Sequence, residues 1–170
     1  MKNDNIKSFV VLVAICIVIA GLMSVVNVIT RPEIERIENE KVQKSLTVVM
    51  PNGEDFIKME NFNADPSVSE IYAEKNGGYV FKIITTGYAS GMTVMCGVDK
   101  DGNITGAECI ASGETLEAEK TYGGRFTGVN FDNVDNVDTV SGATLTTRAY
   151  KNAIKTALET FKYLAGSELS

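Results

Sequence analysis

A run of small and hydroxyl-bearing residues, DTVSGAT at 138–144, stands directly before an amphipathic helical pattern. The first turn of a helix offers unpaired N–H groups and the positive end of the helix dipole, so an anionic phosphate is stabilised there. Ser141, Gly142 and Ala143 add little bulk beside that backbone, and Thr144 adds a hydroxyl within the turn. Thr144 is therefore a candidate to hydrogen-bond a phosphate or to be joined to one covalently.

The same run has a simpler interpretation as a helix cap. Ser141 would be the N-cap, accepting hydrogen bonds from amides of the first turn, and Gly142 would ease the bend. The run lacks the G-x-x-x-x-G-K-[ST] pattern of a P-loop, so the sequence does not support a nucleoside triphosphate site.

Composition excludes several classes of chemistry. The chain of 170 residues has a net charge of −6, which disfavours nucleic acid as a partner because phosphate backbones are bound by basic surfaces. It has no histidine, which removes Ser-His-Asp and Cys-His catalysis and imidazole metal ligands. Cys16, Cys96 and Cys109 lack C-x-x-C spacing, so we expect no metal site, and a disulfide between Cys96 and Cys109 stays open.

An N-terminal segment predicts a membrane anchor. Phe9 to Ile29 is a run of 21 residues without a charged side chain. At ~1.5 Å per residue a helix of that length spans about 31 Å, which matches a hydrocarbon core of roughly 30 Å. A cleaved signal peptide has a shorter apolar region of roughly 7–15 residues, so we predict an uncleaved single-pass helix. Basic residues flank the run on both sides and leave its orientation open, leaning towards a C-terminal domain outside the cell.

The remaining chain predicts an α+β domain with an antiparallel sheet and a C-terminal helix. Apolar residues at helical spacing predict a juxtamembrane helix over 31–50, beginning near Pro32. A polar linker follows, and residues 111–140 are expected to form a loop with little regular structure. Strands are predicted by aromatic and β-branched runs at Tyr79 to Thr86, Met92 to Val98 and Ile104 to Ile110.

The predicted C-terminal helix carries one apolar stripe over about five turns. Its residues recur at helical spacing: Ala149, Tyr150, Ala153, Ile154, Ala157, Leu158, Phe161 and Leu164.

The spacing Asp138-x-x-Ser141-Gly142-Ala143-Thr144 matches D-x-x-[ST]-G-A-[ST], the flavinylation signature of FMN-binding domains. The resemblance extends over nearly the whole chain, through the apolar run, the segment VVMPNGEDF and the strand region ITTGYASGMTVMCGVDKDGNITG. The chain resembles the G subunits of Rnf ion-translocating electron-transport complexes and the related C subunits of sodium-translocating NADH:quinone reductases.

This resemblance implies a cofactor and a function. FMN would be attached through its phosphate to Thr144 by a separate flavin transferase that uses FAD, with Asp138 and Ser141 to Ala143 as recognition and positioning elements. The chain would be a membrane anchor (1–30), a juxtamembrane helix (31–50) and an FMN-binding domain (51–170). It would be a non-autonomous oxidoreductase (translocase) subunit that relays electrons from ferredoxin to NAD+ with partner subunits, coupled to Na+ or H+ movement. The flavin domain would be extracytoplasmic, and the contacts would include membrane lipid.

One segment departs from the family pattern. The family usually continues its hairpin into Glu-Thr-Pro-Gly-Leu-Gly near the flavin, whereas here Glu114-Thr115 is followed by LEAE at 116–119. Glu114, Thr115 and Leu116 are carried over as neighbours of the flavin ring.

Two alternatives from the residues remain. One is an FMN-binding membrane regulator or a partner of another reductase, in which a flavin senses rather than relays. The other is a membrane-anchored structural module without flavin, in which Ser141 to Thr144 only cap a helix.

Overall fold

The computed structural model describes residues 2–114 and 118–167. The chain separates into two compact units, Met1–Lys41 and Val42–Ser170. The first belongs to a long helix, α1, which runs over Lys2–Val49. Its apolar stretch is long enough to cross a membrane and is not buried against any described part of the chain. A helix with lipid-facing side chains and internally satisfied backbone groups is the expected form of such a span, so α1 fits a single-pass membrane protein.

Pro32 was expected to begin a separate juxtamembrane helix, but it lies inside α1. Proline has no N–H and so removes one hydrogen bond from the helix without preventing its continuation. Arg36 pairs with Glu33 one turn before it and with Glu40 one turn after it, each at 2.5 Å. Such pairs at i,i+3 and i,i+4 favour the helix on the C-terminal side of the proline.

The second unit contains a five-stranded antiparallel sheet whose strands pair in chain order. The three predicted strands are confirmed as the last three of the sheet, and the first two lie in the segment expected to be a polar linker. The strands are β1 (Ile57–Lys58), β2 (Val68–Ala73), β3 (Tyr79–Thr85), β4 (Met92–Val98) and β5 (Ile104–Ala111).

The segment after β5 is more regular than expected. It contains a short helix, α2 (Ala118–Tyr122), and 3₁₀ turns at Gly123–Phe126 and Val134–Asn136. The C-terminal helix, α3, spans Thr144–Ser167. The predicted stripe of α3 is confirmed, because all eight of its residues are buried in the main core against one face of the sheet.

The last two turns of α1 cover the opposite face of the sheet. Side chains alternate between the two faces of a strand, and β3 and β4 contribute buried apolar residues to both faces. Val42, Leu46 and Val49 form a second core there. The Val49 carbonyl accepts a hydrogen bond from the Thr105 hydroxyl at 2.5 Å and lies over Gly97. The absence of a side chain at Gly97 therefore lets the end of α1 approach the sheet.

Gly97→Ala should destabilise this packing. An added Cβ would lie 2.6 Å from the Val49 carbonyl oxygen and 2.5 Å from the Thr105 hydroxyl oxygen. We expect a loss of about 1–3 kcal/mol in the free energy of unfolding. The measurement is denaturant unfolding of the detergent-solubilised full chain by near-UV circular dichroism. Gly124→Ala is the control, because its Cβ would meet nothing within 4 Å, and equal stability of the two variants would contradict the packing described.

Cys16, Cys96 and Cys109 are free thiols. The register places Cys96 opposite Ala107 and Cys109 opposite Val94, so the two cysteines do not face one another. Burial raises the pKa of the Cys96 thiol, and burial followed by the charge of Glu119 raises the pKa of Cys109 to about 11.

Cys109 should therefore react slowly with alkylating reagents. A rise in pKa from 9.0 to about 11 lowers the reactive thiolate fraction at pH 8 about 100-fold. We expect iodoacetamide to modify Cys109 about that much more slowly in the native chain than in urea, as measured by peptide mass. The native rate should keep rising with pH towards 11, whereas the rate in urea should level off above about 9. Equal rates in the two states would show that the thiol is not shielded.

Candidate functional site

The DTVSGAT run forms a turn followed by a helix start. The Ala143 amide donates to the Val140 carbonyl at 3.1 Å, which closes a four-residue turn. Gly142, the third residue of that turn, has a φ of +83°. A positive φ at this position is the geometry of a type II turn and explains the glycine.

Ser141 is not the N-cap of α3, so that interpretation was wrong. The helix begins at Thr144, and the first helical hydrogen bond runs from the Thr147 amide to the Ala143 carbonyl at 2.9 Å. That places Ala143 at the N-cap and Ser141 two residues before it. The turn displaces the serine, and the Thr147 hydroxyl instead closes the helix start by accepting from the Val140 amide at 3.1 Å and donating to the Ala143 carbonyl at 2.9 Å.

The first turn of α3 has amides free for an anion. Within residues 2–114 and 118–167, no acceptor pairs with the amides of Thr144, Leu145 or Thr146. These three N–H groups lie at the positive end of a 24-residue helix. A helix N-terminus in this state favours a phosphate or carboxylate by its dipole and by its donors.

The hydroxyls around this turn differ in availability. The Thr146 hydroxyl is buried and donates to Glu114 Oε2 at 2.6 Å. The Thr147 hydroxyl is buried and makes the two bonds already described. Ser141 and Thr144 are both exposed, but of the two only Thr144 lines the adjoining pocket.

Glu114 joins the two walls of that pocket. Its Oε1 accepts from the Ala89 amide at 2.9 Å, in the loop between β3 and β4, and its Oε2 accepts from Thr146 in α3. Gly87 makes room for this bridge, because a Cβ there would lie 2.5 Å from Glu114 Oε1 and 3.1 Å from the Thr146 Cα. The carboxylate thus fixes the spacing between the loop and the helix start.

The pocket between these walls has a volume of about 470 Å³. That volume lies within the roughly 300–1,000 Å³ typical of cofactor sites. Most of its lining surface is apolar, and Tyr88 and Leu145 are 76% and 58% exposed. The described residues that line it are Tyr88, Glu114, Gly142, Ala143, Thr144, Leu145 and Thr146. Free amides, an available hydroxyl and an apolar wall in one cavity fit a phosphate-bearing aromatic cofactor.

Comparison with known proteins agrees with this geometry. Residues 87–159 match the family described as the FMN-binding domain, a range that includes both walls of the pocket. The chain is 25% identical to the G subunit of the Na(+)-translocating ferredoxin:NAD(+) oxidoreductase complex of Acetobacterium woodii, over 94% of this chain and 92% of that protein. It is 24% identical to the G subunit of the ion-translocating oxidoreductase complex of Shewanella piezotolerans, over 92% and 89%. The chain is thus similar over nearly its whole length to G subunits of ion-translocating oxidoreductase complexes, and residues 87–159 match an FMN-binding domain.

Four of the eight residues expected from the sequence line this pocket. Thr144, Gly142, Ala143 and Glu114 line the pocket. Ser141 and Asp138 are not among the described lining residues, and their side chains are exposed. Thr115 and Leu116 lie outside the described residues.

Sequence reasoning missed Tyr88, Leu145 and Thr146 as pocket residues. Leu145 and Thr146 directly follow the signature, and their place on the first turn of a helix was the available signal. Tyr88 follows a strand and a glycine, a position typical of a functional loop.

Glu114→Gln should loosen the bridge between the walls. Glutamine has one accepting oxygen, so its amide group can no longer accept from both Ala89 and Thr146. Loss of one charge-assisted bond, worth roughly 1.5 kcal/mol, predicts about tenfold faster hydrogen exchange of the Ala89 amide. Hydrogen exchange of the full chain in detergent measures this, with the exposed Glu60→Gln as the control. Unchanged exchange at Ala89 would mean that the carboxylate does not hold the loop.

Proposed function

We propose that this chain is a membrane-anchored flavoprotein subunit of an Rnf-type ferredoxin:NAD+ oxidoreductase, relaying electrons through FMN joined by its phosphate to Thr144. The observation that carries the proposal is the state of Thr144. Its hydroxyl is exposed and lines the pocket at the N-terminus of α3. Among the described residues, no acceptor pairs with the first three amides of that helix. The two relatives, both named as G subunits of oxidoreductase complexes, support the complex to which it would belong.

The helix start supplies what a tethered phosphate needs. A phosphodiester keeps one negative charge, which the amides of Thr144, Leu145 and Thr146 and the helix dipole offset. The neighbouring Thr146 and Thr147 hydroxyls are committed to hydrogen bonds inside the domain. This arrangement favours attachment at Thr144.

The pocket holds the rest of the cofactor beside the attachment point. A bound flavin supplies chemistry with one or two electrons, so the chain needs no acid, base or nucleophile of its own. Tyr88 and Leu145 provide apolar surface, and Glu114 keeps the two walls at a fixed spacing. The role of the domain is to position the cofactor and exclude water from part of its surface.

Attachment requires a second enzyme. A flavin transferase using FAD would form the bond between Thr144 Oγ and the FMN phosphorus and break the pyrophosphate bond, with AMP as the leaving group. The exposed Asp138 and Ser141 flank the acceptor and are available for recognition by that enzyme. The Tyr122 hydroxyl holds the Asp138 carbonyl at 3.1 Å, which orients this segment.

The membrane-spanning helix limits which functions of the complex this chain could carry out. One helix has no room for an ion path, so translocation of Na+ or H+ belongs to partner subunits. We place the flavin domain on the extracytoplasmic side, where a covalent bond prevents loss of the cofactor by dilution.

Intact mass of the full chain made with an active flavin transferase tests the proposal. We expect an added mass of FMN less one water, with in-gel fluorescence, and its loss in Thr144→Ala. Thr127→Ala is the control, because Thr127 is an exposed hydroxyl on another loop. An unmodified parent chain would support the structural-anchor alternative, and a flavinylated chain that fails to co-purify with polytopic and iron–sulfur subunits would support the regulator.

A further inference from the structure

We propose that Tyr88 stacks on the isoalloxazine ring of the tethered flavin and lowers its reduction potential. This inference rests on the proposed function and deepens it by assigning the ring-side contact. Tyr88 is the one aromatic side chain among the described residues that line the pocket. Thr144 and Leu145 line the same cavity from the first turn of α3, so the ring of a flavin attached at Thr144 would extend along the ribityl chain into the cavity that Tyr88 lines.

The exposure of Tyr88 sets it apart from the other tyrosines of the domain. Its side chain is 76% exposed, although it stands at the edge of an apolar pocket. Most of the others are at most 7% exposed within the cores: Tyr72, Tyr79, Tyr122 and Tyr150. A large aromatic surface left open at a concave site is typical of a residue that packs against a ligand.

The backbone that carries Tyr88 is held in place. Thr85 pairs with Met92 at the end of the strands, so the loop between them is short. The Gly87 amide donates to the Ala89 carbonyl at 3.1 Å, and the Ala89 amide donates to Glu114. Both neighbours of Tyr88 are therefore fixed, which reduces the entropy lost when its ring is ordered by a ligand.

The electrostatics of the contact give the direction of its effect. The face of an aromatic ring carries partial negative charge. A phenol ring in face contact with a flavin disfavours the electron-rich reduced flavin relative to the oxidised form. The same contact quenches flavin fluorescence, because a tyrosine in van der Waals contact donates an electron to the excited ring.

The test uses the full chain flavinylated by an active transferase, in detergent, with Tyr88→Phe, Tyr88→Trp and Tyr88→Leu. Phenylalanine keeps the ring but is a poor electron donor, so we expect a several-fold longer fluorescence lifetime. Tryptophan should retain the quenching. Leucine removes the ring, so we expect a longer lifetime together with an upward shift of the midpoint potential.

The matched control is Tyr163→Phe, because Tyr163 is 56% exposed on the same helix as the attachment residue. It lies about 28 Å along α3 from Thr144 at ~1.5 Å per residue, and its lifetime should equal that of the parent. A flavinylated Tyr88→Phe chain with the lifetime of the parent would overturn the proposal, as would an unchanged potential in Tyr88→Leu. A parent chain without a flavin adduct would instead overturn the proposed function, so the two failures are distinguishable by mass.

Discussion

The Glu114 carboxylate is the interaction on which the geometry of the site depends. It lies just after the end of β5 and accepts from the loop between β3 and β4 through Ala89, and from the first turn of α3 through Thr146. These partners are 25 and 32 residues away in sequence, so the two hydrogen bonds link the β3–β4 loop to the start of α3 in addition to the core packing of α3 on the sheet. Its oxygens accept from the Ala89 amide and the Thr146 hydroxyl, and among the described residues none accepts from the first three amides of α3.

A second set of contacts brings the signature segment to that place. The rings of Tyr122, Phe126 and Tyr150 meet with centroids 5.2–5.9 Å apart, which joins the 3₁₀ turn after α2 to α3. Gly123 permits this approach, because a Cβ there would lie 2.0 Å from the Ala107 carbonyl oxygen. The hydroxyl of Tyr122 then reaches the Asp138 carbonyl. The aromatic cluster therefore holds Asp138, the first residue of the DTVSGAT run, in place. The type II turn that follows then leads this run to the pocket.

The parts of the fold predicted from the sequence are those encoded by local pattern. Strands β3 to β5 and the stripe of α3 follow from apolar periodicity, which directly reflects burial. Strand β2 was missed because its sequence, VSEIYA, has only partial alternation, and its pairing with β3 decides its conformation. The helical turns at 118–126 were missed for a similar reason, since tertiary contacts of Tyr122 and Phe126 stabilise them.

The residues of the candidate site likewise fall into those that a local motif predicts and those that depend on contacts between distant segments. The signature predicted Thr144 as the attachment residue because it is a contiguous motif, and this stays a prediction. The role of Ser141 was mistaken because the turn places the N-cap two residues later, at Ala143. The positions of Tyr88 and Thr146 at the pocket depend on the hydrogen bonds of Glu114. These bonds join segments that are distant in sequence, so no local sequence pattern predicts them.

The same bridge bears on why the cofactor would be tethered rather than bound reversibly. Free FMN carries a phosphate dianion, and the pocket already contains the Glu114 carboxylate within a chain of net charge −6. The dipole of one helix start contributes roughly 0.3–1 kcal/mol at an exposed site, and a carboxylate in the same pocket opposes the binding of a dianion. The proposed esterification to Thr144 would remove one of the two phosphate charges and would make retention of the cofactor independent of its affinity. A pocket with an acidic bridge and no described basic lining residue thus supports the proposal of a covalent phosphodiester over a dissociable flavin.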